Sequence, residues 1–144
     1  MPIKTEKGDL KPIIYVGAIS EKGLLIVKYK TPPNPLKTGW WLPAPEIEYG
    51  QDPNEEAVAL VKKVGLQLEH LSLVGIDSFI ANDAWHLMAK YRAEVSGEVT
   101  SDEIVESRWV TPETLPAAPE FAHGNWEVEL CRYFLGHNHI PVGV

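Results

Sequence analysis

The residues able to do chemistry gather at a few places along the chain. Glu46, Glu48, Glu55 and Glu56 crowd together around the start of a short helical pattern. Clustered carboxylates are what hold a hard divalent cation against phosphate oxygens. They are also what the first turn of any helix favours, since acidic side chains meet its positive dipole end. Glu103 and Glu106 form a second acidic pair downstream. Lys62 and Lys63 stand side by side near the end of the same helical pattern. A lysine ammonium only donates hydrogen bonds and carries positive charge, so it cannot ligate a cation. It can pair with a phosphate as a point charge, or simply meet the negative dipole end of the helix from solvent.

His86 lies inside an apolar run and suits a packed or pocket-lining side chain. His137 and His139 form an H-x-H that could collect a metal together with His123, although short histidine spacing in a tail is a weak pattern. Trp40, Trp41, Trp85, Trp109 and Trp126 are numerous for the length; a stray one such as Trp40 or Trp85 could stack a base, but core packing is the commoner use. Cys131 is the single cysteine, which excludes an intrachain disulfide and suits a small buried hydrophobe. There is no G-x-x-x-x-G-K phosphate loop, no Cys/His zinc pattern and no serine in a nucleophile-elbow context.

These residues need elements to position them. Residues 11–20 (KPIIYVGAIS) and 24–30 (LLIVKYK) read as two strands joined through Gly23 into a hairpin. The proline-rich stretch 31–38 cannot pair as a central strand and reads as a surface loop. Residues 46–50 (EIEYG) resemble a short strand ending in a turn. A helix then starts with Asp52 as N-cap, Pro53 at the first helical position and Glu55 three residues after the cap. Ala57, Leu60, Val61 and Val64 recur on one face, and Gly65 suits the C′ position. Residues 71–80, 85–95 and 108–111 read as further strands. A final helix over about 125–135 places Trp126, Leu130, Tyr133 and Phe134 near one face. Strands, helix, strands, helix is the order of an α+β domain, a mixed sheet covered by helices.

The length of 144 residues fits a single domain with its core over about 10–135, and 44% hydrophobic residues supply that core without staples. A net charge of −7 argues against a nucleic-acid polymer or an anionic membrane as partner. Lys4, Glu6, Lys7 and Asp9 interrupt any signal-like run, and apolar stretches are strand-length, so a soluble cytoplasmic protein is expected.

From Trp41 onward the sequence resembles the Nudix hydrolase superfamily. W-L-P, then I-E-x-G at residues 47–50, a capped helix and Gly65-Leu66 form the skeleton of the Nudix box. The stretch 103–116 (EIVESRWVTPETLP) resembles the part that closes the family's sheet, and the hairpin over 13–30 matches its opening strands. The resemblance implies a Nudix-type mixed β-sheet sandwiched between helices (α/β/α). It also implies a box written G-x5-E-x7-R-E-U-x-E-E-x-G-U (U a bulky aliphatic), whose glutamates hold Mg²⁺ or Mn²⁺ on a diphosphate. Here Pro45 stands at the first glycine, after Ala44, and Gln51 stands at the isolated glutamate. The helix is one residue short. Anchored on Gly50, the Arg-Glu pair falls on Ala59-Leu60 and the Glu-Glu pair on Lys63-Val64; anchored on Gly65, they fall on Val58-Ala59 and Lys62-Lys63. Either way the metal-binding carboxylates are missing.

Three functions are therefore in play. The first is a Nudix-fold protein that lacks the usual metal-dependent pyrophosphohydrolase activity and binds a nucleotide or other diphosphate-linked small molecule. Lys62, Lys63, Trp41 and His86 are its candidate contacts, with no metal or other cofactor. The second is a divergent Mg²⁺-dependent pyrophosphohydrolase acting on a nucleoside diphosphate derivative through a rebuilt site. Its candidates are Glu48, which the resemblance places as an orienting residue of the box, Glu56, Glu46, and Glu103, near an additional catalytic glutamate of the family. The third is a non-enzymatic interaction module or homodimeric scaffold.

Overall fold

The computed structural model describes residues 3–136, so His137 and His139 lie outside the described residues. Six strands form one mixed sheet: β1 (Ile3–Thr5), β2 (Gly8–Ser20), β3 (Gly23–Tyr29), β4 (Gln67–Ala81), β5 (Ala84–Ser96) and β6 (Ile104–Val110). Its order is β4-β5-β2-β3-β6, with β1 on β2; β2 and β5 run parallel and every other strand pair is antiparallel. Helix α1 (Pro53–Lys63) packs on one face and α2 (Asn125–Gly136) on the other, each over its own apolar cluster. The expected α+β sandwich is the observed one. Strand alternation divides the clusters: Ile14, Val16 and Ala18 of β2 face α1, while Tyr15 and Ile19 face α2.

The hairpin of β2 and β3 differs from its sequence reading. The two strands pair only at Ile19↔Leu24 and Ser20↔Gly23, then part. Residues 41–47 fill the gap as a wedge, which is why 46–50 forms no strand. Trp41 exchanges backbone bonds with Val27 at 2.8 and 3.0 Å. On the other side Val16 donates to the Pro43 carbonyl and Ile14 to the Pro45 carbonyl, and Ile47 donates to Pro12. Prolines fit here because the wedge is held at 43 and 45 through carbonyls alone, so their missing N–H groups cost nothing.

Helix α1 is specified locally. The Asp52 carboxylate accepts the Asn54 amide at the N-terminus, with Pro53 in the first turn. At the other end Gly65 takes φ +95°, its N–H donates to Lys62 and that of Leu66 to Val61, a Schellman stop. In α2 the buried positions are Glu127, Val128, Leu130, Cys131 and Phe134. Trp126, expected on the packed face, remains 43% exposed. Trp85 likewise is not a core residue, whereas Trp40 is.

Candidate functional site

Where β2 and β3 part, the wedge and the ends of both helices surround a cleft of about 670 Å³. One wall is Lys11, Ile13 and Tyr15 of β2 with His86 of β5; the opposite wall includes Tyr29 and the proline-loop residues Thr31, Pro33 and Asn34. The wedge contributes Trp41, Leu42 and residues 44–46, α1 contributes Leu60 and Lys63, and the loop before β6 contributes Ser101 and Glu103. That loop is pinned by Glu103, whose carbonyl accepts the Lys30 amide at 2.7 Å.

Glu127 lies at the base of the cleft, 0% exposed. Its carboxylate accepts the Leu42 amide at 3.0 Å and the His123 amide at 2.7 Å. It therefore ties the entry of α2 to the wedge. Nδ1 of His123 also lies 3.2 Å from this carboxylate, outside hydrogen-bond geometry. The His123 ring meets Trp41 edge to face at 4.9 Å, and Trp41 meets Tyr29 at 6.1 Å. Burial, and secondarily the negative charge of Glu127, pushes the Tyr29 phenol up to about 12. The same two causes push the Cys131 thiol up to about 12, so it behaves as the small buried hydrophobe its surroundings suggest. Tyr29 thus remains a neutral donor at the cleft wall. Trp41 Nε1 and His86 Nδ1 are buried with no hydrogen-bond partner, so a ligand could satisfy either.

The sequence candidates separate clearly. Lys63, Trp41, His86, Glu46 and Glu103 line the cleft together; Lys62, Glu48 and Glu56 do not. Lys62 is exposed to solvent near the end of α1. Glu48 belongs to a turn that Gln51 closes, the Gln51 amide oxygen accepting the Glu48 N–H at 2.7 Å. His86 stacks on Phe79 with ring centroids 4.7 Å apart. Among the described residues, no three His, Cys, Asp or Glu side chains come together so as to hold a metal ion. With a lysine on the wall as well, this donor set does not fit what a hard divalent cation requires. Sequence reasoning did not single out Glu127, Tyr29 or Lys11 for the cleft, and it assigned His123 to a metal site in the tail. The available signal for Glu127 was a carboxylate placed four residues before Cys131 on the apolar side of α2.

Comparison with known proteins bears on the fold. No protein-family model matches the sequence, and no curated protein matches it. Solved structures do. A MutT NUDIX hydrolase from Burkholderia pseudomallei superposes with a TM-score of 0.62 at 21% identity, covering 90% of this chain and 98% of that one. A NUDIX hydrolase from Nitrosomonas europaea gives 0.66 at 16%, covering 94% and 74%, and a MutT protein from Methanosarcina mazei Go1 gives 0.66 at 16%, covering 95% and 100%. The chain has the Nudix fold. Of the paired lysines of α1 the cleft receives Lys63. At these identities the likeness carries the fold, and the residues of the cleft must speak for the chemistry. Among the described residues no helix is long and apolar enough to cross a membrane.

Proposed function

We propose that the protein binds a nucleotide or another diphosphate-linked small molecule in this cleft, without the metal-dependent hydrolysis usual for the fold. The observation that carries the reading is the composition of the walls. Tyr29, Trp41 and His86 offer ring surfaces and unsatisfied nitrogens to a base or sugar, while Lys63 and Lys11 offer positive charge to phosphate oxygens. Lys63 stands where a Nudix box would place a metal-binding glutamate, so its charge takes over part of the cation's electrostatic task.

The test is thermal unfolding with a panel of nucleoside diphosphate derivatives, with Mg²⁺ and with EDTA. A ligand at about 100 times its Kd adds about 2.7 kcal/mol, a shift of several degrees for a domain of this size. The expected shift is the same in EDTA and disappears in Lys63→Glu. If every compound leaves the unfolding curve unmoved, the reading fails. Glu46 and Glu103 share the cleft, which is the one observation favouring a divergent hydrolase. Turnover dependent on Mg²⁺ or Mn²⁺ and abolished by Glu103→Ala would replace the binding reading with that one.

A further inference from the structure

Strand register decides which side chains share a face, and on the α1 side the apolar rows continue past the helix. Ile14, Ala89 and Ile76 form one row across β2, β5 and β4. The next rows outward are Pro12, Leu87 and Ser78, then Leu10, Trp85 and Ile80. Ile14 is fully buried in the α1 cluster, but Ile76, Ile80 and Trp85 are 60%, 82% and 48% exposed. Leu10, Pro12 and Leu87 are half-buried and belong to neither core cluster. Three strands therefore present an apolar face whose one polar side chain is Ser78 and which carries no charge. The alternate residues of the same strands, Lys11, Ile13 and His86, point the other way and line the cleft.

We infer that this face seats a second copy of the chain, the two sheets meeting about a two-fold axis. A two-fold contact lays a patch against itself, so an uncharged apolar patch is its own complement. The chain as a whole carries a net charge of −7 and would repel its copy, which favours contact through a face that carries no charge. The area is sufficient. With Leu73, 51% exposed in the middle of β4, the patch offers on the order of 600 Å² per copy, so a dimer buries more than the ~1,000 Å² expected of a specific interface. Apolar patches of that size are uncommon on monomers.

Sedimentation equilibrium over a concentration series tests it. The expected mass is twice that of the 16.1 kDa chain. Ile76→Glu with Ile80→Glu should raise the dissociation constant at least 100-fold, while Val105→Glu, also at an exposed apolar site but on β6, should leave it unchanged. Should the double glutamate variant fail to fold, Ile80→Ala with Trp85→Ala changes residues that belong to neither core cluster and introduces no charge, and should weaken the dimer at least 10-fold. A wild-type chain that stays monomeric at millimolar concentration overturns the inference, whether or not it adheres to lipid vesicles through these residues. So does a dimer indifferent to changes at positions 76, 80 and 85.

Discussion

Replacing Glu127 by alanine should be among the most damaging changes the molecule can undergo outside its apolar core. The carboxylate is fully buried and accepts two backbone amides, from Leu42 at 3.0 Å and from His123 at 2.7 Å. Removing it strands both donors, at about 1–3 kcal/mol each, and leaves a cavity the size of the lost side chain. The summed loss is about 3–5 kcal/mol, a large part of the 5–15 kcal/mol typical of a domain. Glu127→Gln keeps one acceptor oxygen but turns an NH₂ group towards the second donor, so about 1–3 kcal/mol should go. Equilibrium unfolding in urea measures both losses, and hydrogen exchange at the Leu42 and His123 amides locates them. The two amides should lose protection together, because one carboxylate holds both. A loss under about 1 kcal/mol in Glu127→Ala, or unchanged protection at Leu42, would refute the assignment of Glu127 as the tie between wedge and helix.

Gly17→Ala should cost about 1–3 kcal/mol by overpacking, because its Cβ would fall 2.4 Å from Cγ of the fully buried Phe134 ring; urea unfolding measures it, and Phe134→Leu in the same chain should restore part of the loss. The Tyr29 phenol should titrate near 12 in an ultraviolet difference spectrum. Since the unfolded phenol ionises near 10, Tyr29 contributes stability that is complete below pH 10 and declines as pH rises towards 12. A Tyr29 titration centred at 10 in the folded protein would contradict its burial.

Much of this was legible in the sequence where the determinants are local. Helix α1 follows from Asp52, Pro53 and Gly65, each acting on its immediate neighbours, and the strand candidates follow from β-branched and apolar runs. Strand ends were read short: β4 and β5 extend to Gln67–Ala81 and Ala84–Ser96 because each completes the other's ladder, which no single segment announces. The parting of β2 and β3 was not legible. It depends on the wedge over 41–47 competing for both strands, a long-range pairing in a segment whose prolines argue against strand. Within the cleft, His86 was picked out by its place in an apolar run and Glu46 by its place in an acidic cluster, while Trp41, Lys63 and Glu103 came from the resemblance to the Nudix superfamily. Glu127 was not picked out, since a glutamate in the first turn of a helix ordinarily signals solvent and the dipole. Trp85 was assigned to the core because it is large and apolar; its row simply lies beyond the reach of α1.

The alternation along β2 and β5 has a consequence for how such a chain can change. Lys11 and Ile13 line the cleft while Leu10 and Pro12 face the opposite side. Deleting or inserting one residue here would exchange the two sets, placing a lysine on the apolar face and a proline in the cleft. These strands are therefore closed to changes of length, whatever substitutions they accept. The connection between β3 and the wedge is under no such constraint, being largely exposed and without a ladder. Yet Thr31, Pro33 and Asn34 within it also line the cleft. Variation in length there would reshape one wall of the cleft and leave the sheet as it is.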